Sequence, residues 1–195
     1  MARSVGAGYG QAMRTSALVA LLLTACGGAE APPSTGAPVA LIPGEPRLAD
    51  GVTAMASDCA EGADEACDAL DSDCDGRIDE GCEGVPADAV QVAVAWSGAA
   101  DLDLVLEGPA SGGASTDARG ACEEPARHLE RRTLASPAAG EYVVRLRHRD
   151  GCGGEDPVTA SVSVSAVGHT LGVFNREVPE GEVEVVRFTL EGAQD

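Results

Sequence analysis

The chain of 195 residues carries 32 Asp and Glu against 13 basic residues, all of them Arg, for a formal charge of −19. Such a field repels phosphate backbones and anionic headgroups by the same electrostatics that draws basic proteins to them, which sets nucleic acid aside as a partner. With 3% aromatic residues and 25 Gly, a core has to be made from Val, Leu and Ala, and the length allows one ordinary domain plus a small appendage.

Residues 1–25 hold Arg3 and Arg14 and no acid, then the apolar run Ala17 to Leu23, then Thr24 and Ala25 ahead of Cys26. Basic, apolar and small in that order is the layout of an export signal, and the run is too short to span a bilayer. Leu23-Thr24-Ala25-Cys26 resembles the lipobox of bacterial lipoproteins. That resemblance implies cleavage before Cys26 and a diacylglycerol thioether on its sulfur, so the chain's first partner is the membrane. With Gly27 rather than Asp following, it also implies an outer-membrane destination. An ordinary signal peptide whose cleavage region happens to contain a Cys is the plainer alternative. Residues 26–57 mix Pro and Gly without hydrophobic period and read as a flexible tether that needs no fold.

With Cys26 lipidated, six cysteines remain: Cys59, Cys67, Cys74, Cys82, Cys122 and Cys152. An even number in an oxidising compartment reads as three disulfides, four of the cysteines falling in one short stretch and two beyond it. The stretch contains no Cys-x-x-Cys pair and no His, which favours disulfides over a zinc–thiolate site. Cys122 and Cys152 are expected to pair with each other; among the other four, sequence does not choose between three pairings.

Residues 58–84 hold eleven acids and one base, Arg77. Carboxylates at that density repel one another and call for a counter-ion. Asp71, Asp73, Asp75, Gly76 and Asp79 follow D-x-D-x-D-G-x-x-D, in which alternate carboxylates converge on one centre and the Gly permits the sharp bend of a calcium loop. With Asp71 as position one, the Arg77 carbonyl takes position seven and Ile78 the apolar position. Position twelve is Cys82, where such loops place a bidentate Glu, so the expected affinity is on the order of 10⁻⁴ to 10⁻³ M. An acidic, disulfide-knotted spacer without an ordered ion is the alternative.

CDALDSDCDGRIDEGC resembles the MopE-type metal-binding motif, frequent in lipoproteins and surface proteins of myxobacteria. The family label implies copper. The residues argue for calcium, because copper favours imidazole, thiolate or thioether, and this stretch offers carboxylates and oxidised sulfur.

From residue 86 to 195, period-two alternation dominates. Val90, Val92, Val94 and Trp96 share one face, as do Leu102, Leu104 and Leu106. His128 to Leu134 reads as a charged edge strand. Tyr142, Val144, Leu146 and His148 alternate against Val143, Arg145 and Arg147, and Val158, Ala160, Val162, Val164 and Ala166 against Thr and Ser. Leu171 to Asn175 and Glu182 to Leu190 complete about seven short strands. With no helical pattern of ten residues, the class is mainly β: an antiparallel β-sandwich preceded by a small disulfide-rich acidic metal-binding loop module and a disordered tether. WSGAADLDLVLEGP and SPAAGEYVVRLRH resemble the Trp–DLDL and Pro–Gly–Tyr motifs of secreted sandwich domains, the YfaP-like and pre-peptidase C-terminal families.

Asp101 and Asp103 are expected to cap a turn or face solvent rather than bind an ion. Arg145, Arg147 and Arg149 share a strand face and are expected to pair with acids rather than hold an acidic glycan. His128, His148 and His169 read as surface or edge residues. There is no Gly-x-Ser-x-Gly elbow, His-Glu-x-x-His pair or phosphate loop, so catalysis is not expected.

The expected function is that of a non-catalytic, surface-anchored lipoprotein that binds calcium through its Asp-rich loop and presents a sandwich to an extracellular glycan or protein. An envelope protein that captures copper or another metal, and an accessory module of a secreted enzyme system, are the alternatives. Replacing Cys26 in the full-length precursor (Cys26→Ser) should move the protein from the membrane to the soluble fraction, because the tether offers no other anchor. Mass spectrometry of detergent-extracted protein should find the lipid on Cys26; a free thiol there would refute the assignment.

Overall fold

The computed structural model describes residues 40–56, 59–65, 71–75, 81–82, 86, 88–119, 122, 128–154 and 156–193. Eleven strands follow in chain order: β1 (Leu41–Pro43), β2 (Arg47–Leu48), β3 (Val52–Met55), β4 (Val90–Trp96), β5 (Asp101–Glu107), β6 (Ser115–Arg119), β7 (His128–Leu134), β8 (Gly140–Asp150), β9 (Val158–Ala166), β10 (His169–Val178) and β11 (Gly181–Gly192). Among the described residues the only helix is a single 3₁₀ turn at Ser111–Gly113.

The strands form two antiparallel sheets. One runs β1-β11-β8-β5, with β2 also on β11; the other runs β3-β10-β9-β4-β7-β6. The faces marked by alternation close on each other. Val90, Val92, Val94 and Trp96, with Ala160, Val162, Val164 and Ala166, come from one sheet, and Leu102, Leu104, Leu106, Tyr142, Val144 and Leu146 from the other, all in one buried cluster. Each such side chain contributes about 1.5–3 kcal/mol relative to exposure, so strict alternation over short strands supplies the driving force that scarce aromatics do not. The few aromatics sit at its margins. Tyr142 stacks on Phe188 at 5.3 Å and Trp96 on His128 at 5.2 Å.

The Tyr142 hydroxyl lies 2.8 Å from the carbonyl oxygens of Pro109 and Ala138 and accepts the Ala138 amide at 3.0 Å. It thereby ties the end of β5 to the approach to β8. Gly108 makes this possible, since a Cβ there would come within 2.5 Å of the Tyr142 ring.

Three expectations change. Residues 41–55, read as tether, are strands: β1 and β2 pair with β11, and β3 with β10. Leu41 and Val52 pack on the core. Segments of two to four residues broken by Pro43 and Pro46 carry no period of their own, and only the waiting edges of β10 and β11 make them strands. The segment at His128–Leu134 is not an edge, because β6, within the stretch taken for a long loop, pairs outside it. His148 is buried at 6% exposure rather than at the surface.

The arginines of β8 meet acids, as their alternation suggested. Arg145 pairs with Glu107 and lies within 4 Å of Glu182 and Glu184, Arg147 bonds Glu182 at 2.7 Å, and Arg149 holds Asp103. A basic column on β8 thus stands between acidic positions on β5 and β11, the cross-strand arrangement that favours opposite charges.

Strand β5 ends its sheet, leaving outward backbone groups to satisfy. Glu130, from β7 of the opposite sheet and 6% exposed, accepts the Leu104 amide at 2.7 Å. Burial pushes its carboxyl above the usual glutamate range, against the opposing pull of that amide. Asp101 is raised in the same way, by burial and then by Asp103. A carboxyl raised in the folded state adds stability that is fully present below its ordinary value and is lost as the pH rises through the folded value. Glu130→Gln keeps an acceptor for Leu104 and should narrow the stability difference between mildly acidic and neutral pH in urea melts. Glu130→Leu leaves the amide unmet and should cost about 1–3 kcal/mol at both.

Candidate metal site

The acidic segment has almost no apolar material, so its local order rests on covalent and polar ties. Cys59 is bonded to Cys74 across fifteen residues of sequence, a closure that removes about 3 kcal/mol of unfolded-chain entropy. Cys82 is also disulfide-bonded. The Cys59–Cys74 bond lays residues 60–65 against 71–75, where the Ala60 amide donates to the Ser72 carbonyl at 2.9 Å. A turn follows, closed by the Ala63 amide on the Ala60 carbonyl at 2.9 Å.

Within that frame the side chains fold back on the backbone. Asp71 Oδ1 accepts the Cys74 amide at 2.8 Å, and Asp73 Oδ1 accepts the Asp75 amide at 2.9 Å. Cys74 takes a φ of 67°, so the chain curls and successive aspartates are held on its inside. Glu65 Oε1 accepts the Ser72 amide at 2.9 Å.

Carboxylate oxygens of Glu65, Asp71 and Asp73 consequently lie within 4.8 Å of one another, with Asp71 8% exposed. Three carboxylates at that spacing repel in the absence of a cation, and hard oxygen donors of this kind suit calcium far better than copper. Of the residues expected at the site, Asp71 and Asp73 are brought together. Asp75 is exposed and enters through its amide. Arg77, Asp79 and Cys67 lie outside the described residues, as does Cys26.

Glu65 is the residue that sequence reasoning missed. It precedes Asp71 by six positions, outside the D-x-D-x-D-G pattern, and nothing in linear spacing marks it. Its place follows from the Cys59–Cys74 pairing, one of three that the sequence leaves open. Glu65 stands where a carboxylate can serve in place of the Glu missing at position twelve.

A second grouping, Cys122, Asp150 and Cys152, also falls within 4.8 Å. There the two sulfurs are joined to each other, and Asp150 Oδ1 accepts the Cys152 amide at 2.7 Å. This bond ties the segment between β6 and β7 to the turn after β8, and it leaves no thiolate to bind a metal.

Among the described residues no helix is long and apolar enough to cross a membrane. No protein-family model, curated protein sequence or solved structure matches the chain.

Proposed function

We propose that the protein is a non-catalytic lipoprotein of the bacterial outer membrane, anchored through Cys26, that binds one calcium ion in its acidic disulfide-bonded loop and presents its β-sandwich to an extracellular glycan or protein. The observation that carries the calcium reading is the convergence of Glu65, Asp71 and Asp73 at a buried aspartate, in a loop whose donors are all oxygen. Asp75, Asp79 and the Arg77 carbonyl complete the ligand set that the spacing indicates. The anchoring half of the reading rests on the N-terminal sequence. The disulfides agree with it, since bonds of this kind persist in oxidising compartments outside the cytosol.

The ion's part is to offset the repulsion among carboxylates that the Cys59–Cys74 closure forces together. The loop is therefore looser without calcium, and protease should cut it faster even with its disulfides intact. The arginine column on β8 is engaged by Glu107, Glu182 and Asp103, which argues against an acidic glycan on that face.

Calorimetry of the mature protein with calcium and with copper tests the reading. Calcium should give saturable heat with an affinity on the order of 10⁻⁴ to 10⁻³ M. Glu65→Gln, and Asp71→Asn with Asp73→Asn, should each weaken it while leaving the thermal transition of the sandwich nearly unchanged. Tight copper binding with neither heat nor protection from millimolar calcium would replace this reading with metal capture.

A further inference from the structure

At the end of the sandwich opposite the Tyr142 corner, β8 carries a histidine into the core without giving it a partner. The His148 side chain is 3% exposed, yet neither Nδ1 nor Nε2 makes a hydrogen bond. Buried polar groups are nearly always satisfied, so two orphaned ring nitrogens on one residue require an account. The nearest polar atom is Asp156 Oδ1, 3.7 Å from Nδ1. That is too long for a hydrogen bond.

Carboxylates gather around this ring. Asp101, at the start of β5 beside the position paired with His148, interacts electrostatically with the imidazole and with Asp103 and Asp150. Asp156 comes from the connection between β8 and β9 and also accepts the Glu180 amide at 3.2 Å. The nearby cation, Arg149, is held by Asp103. There is also room. His148 is paired across β11 with Gly181, and a Cβ built on that glycine would meet no atom within 4 Å.

We propose that His148 and Asp156, joined by Asp101, form a second metal site, for a borderline divalent transition ion such as zinc. Ligand bonds of 2.0–2.2 Å at a tetrahedral angle put an imidazole nitrogen and a carboxylate oxygen about 3.4 Å apart. A 3.7 Å separation therefore fits an ion between the two groups better than direct contact. The ion satisfies Nδ1, takes up the excess of negative charge and pins the β8–β9 connection against the turn before β11. Asp156 is already oriented by the Glu180 amide, as carboxylate ligands commonly are by their neighbours. The donor set, one imidazole with carboxylates, differs from the all-oxygen loop, so the two sites select different ions. The inference does not depend on the calcium reading.

The test is titration of the mature protein with zinc chloride, followed by calorimetry and by nitrogen-15 NMR of the imidazole rings. One equivalent should bind, with the His148 Nδ1 resonance shifting on saturation. His148→Phe and Asp156→Asn should each weaken binding by about tenfold or more. Asp156 is more than half exposed, so its variant folds whether or not the His148 variant does. Asp71→Asn with Asp73→Asn should leave zinc affinity unchanged. The proposal is overturned if zinc does not bind, if the Asp156 variant binds as tightly as the parent, if the NMR shift falls on His128 or His169, or if binding is lost with the Asp71 and Asp73 variant.

Discussion

Two sheets of short strands can hold together only if one face of each is continuously apolar, and this chain has almost no aromatic residues with which to do it. The layer between the sheets is therefore filled by Val, Leu and Ala at alternate positions of β4, β5, β8 and β9, and each one-residue slip would turn a whole row out to solvent. That demand fixes register, and register places everything else. It stands Arg145 and Arg147 between acidic neighbours on β5 and β11, sets Glu130 opposite the open edge of β5, and carries His148 into the interior at the end of β8.

Charge is managed differently in the two parts of the molecule. On the sandwich, acids are matched with arginine across strands, where exposed pairs add little stability individually but remove repulsion between like charges. Glu130 shows the cost of the alternative: a carboxylate taken into the core to satisfy one amide titrates above its normal range. The acidic loop has a single arginine for eleven acids, so matching within the chain is impossible. Its Cys59–Cys74 closure nevertheless brings Glu65, Asp71 and Asp73 together, and a bound cation resolves that conflict.

The N-terminal strands show how local sequence yields to context. Residues 41–55 contain Pro43, Pro46 and Gly51 and carry no pattern of alternation, yet they extend both sheets, because β10 and β11 present unpaired edges side by side at that flank. Capping those edges also removes backbone groups that would otherwise invite pairing with other chains. The same argument applies to β6, whose five residues become a strand against the outer edge of β7.

The sequence by itself determined the fold class, the inward faces of the long strands, the pairing of the β8 arginines with acids, and Asp71 and Asp73 as site residues. These depend on periods of two and on spacing within a few positions, which local geometry translates directly into faces and turns. Glu65, the short strands at 41–55, the inner place of β7 and the burial of His148 were decided only by tertiary structure. Each depends on which distant segment lies alongside: a disulfide chosen from three, an edge left open by a strand more than a hundred residues away, or the end of a strand that runs on under the β8–β9 connection. Contacts of that kind have no period, because the energy that creates them belongs to the assembled sheets.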